Sequence, residues 1–347
     1  MNRDHTGTTR KETDARLLQK AEDMLAARPF RPHPLLGNGH AQTLAGWAWP
    51  RRIRNHPDEI RLFEVEPGVR LLTRCRWHED RINPATLVLV HGLGGSADAP
   101  YVRGAARLAY GTGTNVVCLN QRNCGGTEHL TPTLYHSGMS GDLAAVLREL
   151  IRRDGLSRVL VAGFSMGGNL VLKMAGEMGE EAPSALLGVC AVSPALDLSE
   201  TSRNLELPQN RLYQRSFVRG LRRLVERKKE LYPGLYDVRK LDRLRTVRDF
   251  DELYTAPHGG FASAEDYYAR TSAIRFVPPV RVPTLIIHAR DDPLVPFGPL
   301  QRLEVSSNSN VVMAATSRGG HVAFVSAADG GERFWAEERI AELCHLL

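Results

Sequence analysis

Arg158-Val-Leu-Val-Ala-Gly-Phe-Ser-Met-Gly-Gly-Asn-Leu-Val-Leu-Lys173 is the stretch from which the rest of the chain can be read. Val159 to Phe164 form an apolar, β-rich run of the kind a fully buried strand shows. Asn169 to Ala175 are rich in Leu, Met and Ala and read as helix. Between them stands Gly163-Phe164-Ser165-Met166-Gly167, a G-x-S-x-G sequence in the strand–turn–helix setting that this motif requires. So sharp a turn puts Ser165 in strained backbone geometry, and Gly163 and Gly167 leave room for the neighbouring chain. Ser165 then stands at a helix N-terminus, where backbone N–H groups and the helix dipole favour a developing negative charge. It is the candidate nucleophile.

Outward from this stretch the chain alternates strand and helix. Thr86 to Val90 is an apolar run ending in His91-Gly-Leu-Gly-Gly95. A helix around Tyr101 to Tyr110 leads to a strand at Asn115 to Leu119. Leu143, Val146, Leu147, Leu150 and Ile151 recur with helical spacing, and Leu186 to Val192 reads as the next strand. Strand signals return at Val282 to Ala289 and Val311 to Ala315, and a last helix carries Ala336, Ile340, Leu343, Cys344 and Leu347 on one face. Such repeats predict a mostly parallel sheet covered by helices on both sides. Arg61 to Val65 and Val69 to Trp77, joined across Pro67-Gly68, read as an antiparallel hairpin before it. Residues 1 to about 14 read as a disordered tail, then a short helix carries Leu17, Leu18, Ala21, Met24 and Leu25 and ends before Pro29. Pro29 to Leu44 read as an extended, proline-rich segment. Residues 29–347 are expected to form one domain, preceded by the tail and short helix of residues 1–28.

A serine hydroxyl needs a base to take its proton, and the base needs an orienting acid. The strand at Thr284 to Ala289 ends in Arg290-Asp291-Asp292-Pro293, and that at Val311 to Ala315 ends in Thr316-Ser-Arg-Gly-Gly-His321. Ser, Asp and His therefore follow in the α/β-hydrolase order, each just past a strand end. His321, after two glycines, is the candidate base. The acid is open to one residue: Asp292, directly before Pro293, is preferred, while Asp291 reads as a carboxylate that accepts backbone N–H groups or faces solvent. Oxyanion donors are expected from the backbone N–H of Met166 and of Leu93 in the glycine-rich loop, with His91 holding that loop.

With these residues in view the chain resembles the α/β-hydrolase superfamily, and within it the YheT family. That group also takes in eukaryotic alpha/beta-hydrolase-domain lipases and yeast medium-chain acyl-coenzyme A:ethanol acyltransferases. The resemblance runs from about Pro29 to the C-terminus. It rests on Pro29-Phe-Arg-Pro32 with His40-Ala-Gln-Thr43, His91-Gly-Leu-Gly-Gly-Ser96 with Pro100-Tyr-Val-Arg103, and Gly163-Phe-Ser-Met-Gly-Gly-Asn169. Phe250-Asp-Glu252, Thr255-Ala-Pro257, Gly260-Phe261, Asp266-Tyr-Tyr268, Asp291-Asp-Pro293 and Gly319-Gly-His321 add to it. The resemblance implies Ser165 as nucleophile, Asp292 as acid and His321 as base, in an ester or lipid-ester hydrolase without metal or organic cofactor. One departure is Asn120-Gln-Arg-Asn-Cys-Gly-Gly126, where the family usually has glycine after the arginine; this bears on substrate preference.

From about Leu198 to Ala273 the alternation stops, in a segment rich in Arg, Leu and Tyr. It is expected to be a helical cap over the strands' C-terminal edge, with the apolar face of one helix, Phe217, Leu221 and Leu224, shaping an acyl pocket. Arg215, Arg219, Arg222, Arg223 and Arg227 lie opposite that face, where they either meet solvent or contact anionic lipid at a membrane surface. The chain's 347 residues, 42% hydrophobic and 24% charged, suit an ordinary globular protein. Five scattered cysteines, read as reduced and structural, and a polar start without an apolar leader point to a cytoplasmic protein. The charge of +6 comes with no nucleic-acid-binding motif, so the expected partner is a small acyl ester or lipid and no nucleic acid. Three functions follow: a serine esterase, an acyltransferase with an alcohol in place of water, or a non-catalytic binding member of the fold.

Overall fold

The protein is described from a computed structural model covering residues 10–51, 58–303, 308–327 and 332–346. Residues 1–9 of the expected tail, and Leu347, lie outside the described residues. Eight strands form one sheet in the order β1-β2-β4-β3-β5-β6-β7-β8. They are β1 (Glu59–Glu66), β2 (Val69–Arg76), β3 (Thr86–Val90), β4 (Asn115–Leu119), β5 (Val159–Phe164), β6 (Leu186–Val192), β7 (Thr284–Ala289) and β8 (Val311–Thr316). β1 and β2 make the expected hairpin, β2 joins β4 antiparallel, and every pairing from β4 to β8 is parallel.

β3, β4, β5 and β7 are buried at every position, which is why each reads as a nearly continuous apolar run. Their side chains still alternate between the two faces. Val88, Val90, Val159 and Val161 enter a core with Leu143, Val146, Leu150, Leu170 and Leu172. Leu87, Leu89, Leu160, Ala162 and Phe164 enter another with Val102, Ala105, Ala109, Ile340 and Leu343. The helices supplying these faces are α3 (Pro100–Gly111), α4 (Ser140–Arg152), α5 (Met166–Met178) and the C-terminal helix Trp335–Leu346.

Two N-terminal expectations change. The first helix, α1 (Arg10–Ala27), begins inside the stretch read as a tail, and Leu17 and Ala21 join the core shared with the C-terminal helix. The segment read as extended turns into α2 (Gly39–Ala48), capped by Asn38 Oδ1, which accepts from the Ala41 N–H at 2.9 Å. The prolines stop at Pro34, leaving this cap free to start a helix.

Residues 198–273 contain helix and no strand, as expected: α6 (Leu198–Leu205), α7 (Arg211–Leu231), several short turns and the helix Ala264–Thr271. This cap has an apolar core of its own, with Leu205, Val218, Leu221, Val225, Phe250, Tyr254 and Tyr267 packed over Leu294 and Val295.

Candidate active site

Ser165 has φ 56° and ψ −118°, a conformation that costs a non-glycine residue about 1–3 kcal/mol and persists only where surroundings impose it. The Ser165 N–H donates to Val192 O at 2.9 Å, and Ser165 O accepts from the Asn169 and Ala195 N–H groups at 3.1 and 3.3 Å. Gly167 lets α5 come close: a Cβ there would lie 2.4 Å from Val90 O. Asn169, in the same motif, is fully buried and ties two distant segments of backbone to α5. Its Nδ2 donates to Ser137 O and Thr271 O, and its Oδ1 accepts from the Ala273 N–H. The turn is thereby pinned both to the sheet and to the segment leaving the cap.

Asp292 and His321 meet across the ends of adjacent strands β7 and β8. His321 Nδ1 lies 2.8 Å from Asp292 Oδ2, and Asp292 Oδ1 accepts from the Leu294 and Val295 N–H groups at 2.9 and 3.0 Å. Burial raises the pKa of Asp292, but facing and bonding His321, with help from His288 and the Val295 N–H, brings it below its ordinary value. A carboxylate held this way fixes the proton on Nδ1 and leaves Nε2 as an acceptor. His288, inside β7, donates Nε2–H to Val295 O at 3.1 Å, and burial lowers its pKa. Asp291 takes the other expected role: Oδ1 accepts the Gly320 N–H at 2.9 Å, and desolvation raises its pKa.

The loop bearing His321 is held from outside the sheet. Its N–H donates to Thr43 Oγ1 on α2 at 2.9 Å, and the Val322 N–H donates to Ser193 Oγ at 3.1 Å. Gly320 has φ 61°, and a Cβ there would strike Gly39 O at 2.5 Å. Gln42 pairs both ways with the Val325 backbone. The His40-Ala-Gln-Thr43 stretch therefore has a definite task, to seat the imidazole loop.

On the opposite side lies the loop after β3. His91 is fully buried; Nδ1–H donates to Gly92 O at 2.7 Å and Nε2 accepts the Gln121 N–H at 3.2 Å. Desolvation lowers its pKa to about 4, so it stays neutral and holds the loop. The Gly92 N–H donates to Tyr101 Oη at 3.1 Å and the Gly94 N–H to Tyr135 Oη at 2.9 Å. Between these two, the Leu93 N–H takes no acceptor among the described residues, and at the start of α5 the Met166 N–H has none within its helix. The loop abuts the serine, since a Cβ on Gly92 would sit 3.5 Å from Ser165 Oγ.

The structure thus brings Asp292 to His321 and the Leu93 loop to Ser165. Among the described residues no hydrogen bond joins Ser165 Oγ to the His321 ring, a contact that commonly tightens only with substrate bound. Tyr101, Tyr135, Thr43, Ser193 and Asn169 were not singled out as site residues. Their signal was faint: polar atoms inside otherwise apolar or glycine-rich stretches. Asn123, where the resemblance implies glycine, has φ 62°, a left-handed conformation that asparagine tolerates better than most residues. Cys124 beside it is a buried thiol packed with Tyr135 and Met166, against which Leu93, Met139 and Leu224 also rest. These six residues form an apolar patch beside Ser165.

Two expectations for α7 are refined. Leu221 is 5% exposed and belongs to the cap's own core, whereas Phe217 and Leu224 are half-buried. Arg222 is no outward cation, because its Nη2 donates to Leu241 O and Leu244 O at 2.5 and 2.7 Å.

Residues 85–328 match the family described as alpha/beta hydrolase fold. YheT of Escherichia coli (strain K12), named as an esterase, is 32% identical over 330 residues, 93% of this chain and 94% of its own length. A Saccharomyces cerevisiae protein named monoacylglycerol lipase is 31% identical over 75% of this chain and 58% of its own. Among solved structures, the Pyrococcus furiosus esterase Pf2001 superposes with a TM-score of 0.56 at 20% identity, covering 85% of this chain and 96% of that one. On the family match, the YheT similarity and the sheet order together, this chain belongs to the alpha/beta hydrolase fold family.

Proposed function

We propose that the protein is a serine carboxylic-ester hydrolase that cleaves short- to medium-chain acyl esters or lipid esters through an acyl-enzyme on Ser165. The observation that carries this reading is the buried Asp292–His321 bond, made on the same edge of the parallel sheet as a serine in forced left-handed geometry. His321 Nε2 takes the Ser165 hydroxyl proton as Oγ bonds to the ester carbonyl carbon. The resulting oxyanion receives the Leu93 and Met166 N–H groups, and one such donor is worth about 10²–10³ in turnover. Collapse breaks the carbon–oxygen bond to the alcohol, which leaves with the proton from His321. Water then attacks the acyl-serine with His321 again as base, releasing the acid and restoring the serine.

The acyl chain lies along Leu93, Cys124, Tyr135, Met139, Met166 and Leu224, the apolar patch beside Ser165. The YheT and monoacylglycerol lipase names support ester chemistry for this site. The test is covalent labelling by a fluorophosphonate, with hydrolysis of a panel of p-nitrophenyl acyl esters measured alongside. Wild type should be labelled and active, and Ser165→Ala neither. Equal labelling of the two sinks the assignment, and no labelling or turnover in either favours a binding protein. An ester product that grows with added alcohol, at the expense of free acid, makes the enzyme an acyltransferase.

A further inference from the structure

From Arg211 to Val225 the helix α7 carries Arg211, Arg215, Arg219, Arg222 and Arg223 and no acidic residue, the first being Glu226. Arg222 turns inward to the backbone, but Arg211, Arg215, Arg219 and Arg223 are exposed, and none of these four has an ion pair among the described residues. Arg211, in the first turn, opposes the helix dipole, and the other three gain nothing from a paired acid, so fold stability does not account for this row. Leu212, in the same first turn, is 77% exposed.

A second exposed apolar set lies on α2. Leu44 and Trp47 stand four and seven residues after His40, on one face of the helix, and are 55% and 75% exposed. The His40 ring stacks on Tyr213, the neighbour of Leu212, at 5.8 Å between centroids and 9° between planes. The two sets thus flank a single contact between α2 and α7. Directly behind it, Thr43 of α2 holds the His321 loop.

An unpaired row of arginines beside protruding Trp and Leu matches the two layers of an anionic bilayer surface, headgroup phosphates outside and acyl chains within. We propose that the α2–α7 face docks the protein on anionic phospholipid membranes, with the site of Ser165 opening beside the contact. Docking is peripheral: no helix among the described residues is long and apolar enough to cross a membrane. The proposal goes beyond the hydrolytic reading, since binding is measured without turnover.

The test is sedimentation of the full chain with vesicles of phosphatidylcholine alone and of phosphatidylcholine mixed equally with phosphatidylglycerol. Wild type should pellet with the mixed vesicles, release as salt is raised, and show a blue shift in tryptophan emission that Trp47→Phe removes. Each arginine near such a surface is worth about five-fold in affinity, so Arg215→Gln/Arg219→Gln together should lose about twenty-five-fold. Leu212→Ser should weaken binding to both vesicles alike. Thermal melts of all these variants should match wild type, which shows that their fold is intact. Equal binding to both vesicle types overturns the proposal, as does anionic binding that the arginine pair leaves unchanged. Self-association at rising protein concentration, abolished by Leu212→Ser with no vesicle binding, assigns the face to a second copy and also overturns it.

Discussion

Replacing Asp292 by Asn tests the geometry of the site more sharply than removing the side chain. The Leu294 and Val295 N–H groups both donate to Oδ1 at 2.9 and 3.0 Å, so an amide there must keep its oxygen on that side. Its Nδ2 then replaces Oδ2, 2.8 Å from His321 Nδ1, and two donors would face each other. The imidazole escapes only by moving its proton to Nε2, the atom that accepts the Ser165 proton in the proposed mechanism. Turnover should fall by about 10⁴, or about 5 kcal/mol of transition-state stabilisation, with KM little changed. Asp291→Asn is the control. Its oxygen can still accept the Gly320 N–H, while its other carboxylate oxygen is buried without a partner. An added NH₂ there costs stability, about 1–3 kcal/mol, and leaves turnover within about tenfold. The assay is kcat and KM on p-nitrophenyl butyrate, with thermal melts of each variant. If Asp291→Asn loses more turnover than Asp292→Asn, the hydrogen-bond argument is wrong.

Three more outcomes are expected. Tyr101 and Tyr135 fix the N–H groups on either side of Leu93. Tyr135→Phe should therefore lower kcat with KM nearly constant, and slow fluorophosphonate labelling in parallel; a change confined to melting temperature would make the tyrosine purely structural. Four extra methylenes buried along the patch beside Ser165 are worth about 3 kcal/mol, so kcat/KM should rise from acetyl to medium-chain esters and then fall. Phe217→Ala/Leu224→Ala should flatten that profile while sparing acetyl-ester turnover, with Leu221 left in place because it supports the cap core. Asp251 is buried within the cap, and desolvation raises its carboxyl to about 6 despite hydrogen bonds from Thr255 and Tyr268. The folded state binds that proton more tightly than the unfolded chain. Its contribution is therefore greatest below the unfolded value of about 4 and is lost as pH rises through 6, by about 3 kcal/mol in all. Asp251→Asn should remove this decline from a series of melts between pH 4 and 8, and an unchanged slope would place it on another group.

The sheet was legible because a buried parallel strand needs no partner to be recognised. Thr86–Val90, Asn115–Leu119 and Val159–Phe164 are apolar at nearly every position, and each strand coincides with its apolar run. The same local chemistry placed Ser165 at a strand–helix turn and Asp291, Asp292 and His321 past strand ends. A sharp turn and a strand end are short-range features, written in consecutive residues. The N-terminal segment was harder to read, since its prolines and glycines masked the cap that starts α2.

What the sequence left open depends on contacts between residues far apart in the chain. Asp291 and Asp292 are equivalent as letters; only the packing of β7 against β8 turns one to the imidazole and the other to the Gly320 N–H. Thr43 reaches across 278 residues to hold the His321 backbone, and Asn169 across 102 to hold Thr271. Arg222 and Arg223 are neighbours in a run of arginines, yet one is spent on the carbonyls of Leu241 and Leu244 and the other is exposed. A hydrogen bond is decided by where two backbones cross. Periodicity fixes the face of an element, while the crossing is set only when the whole core packs.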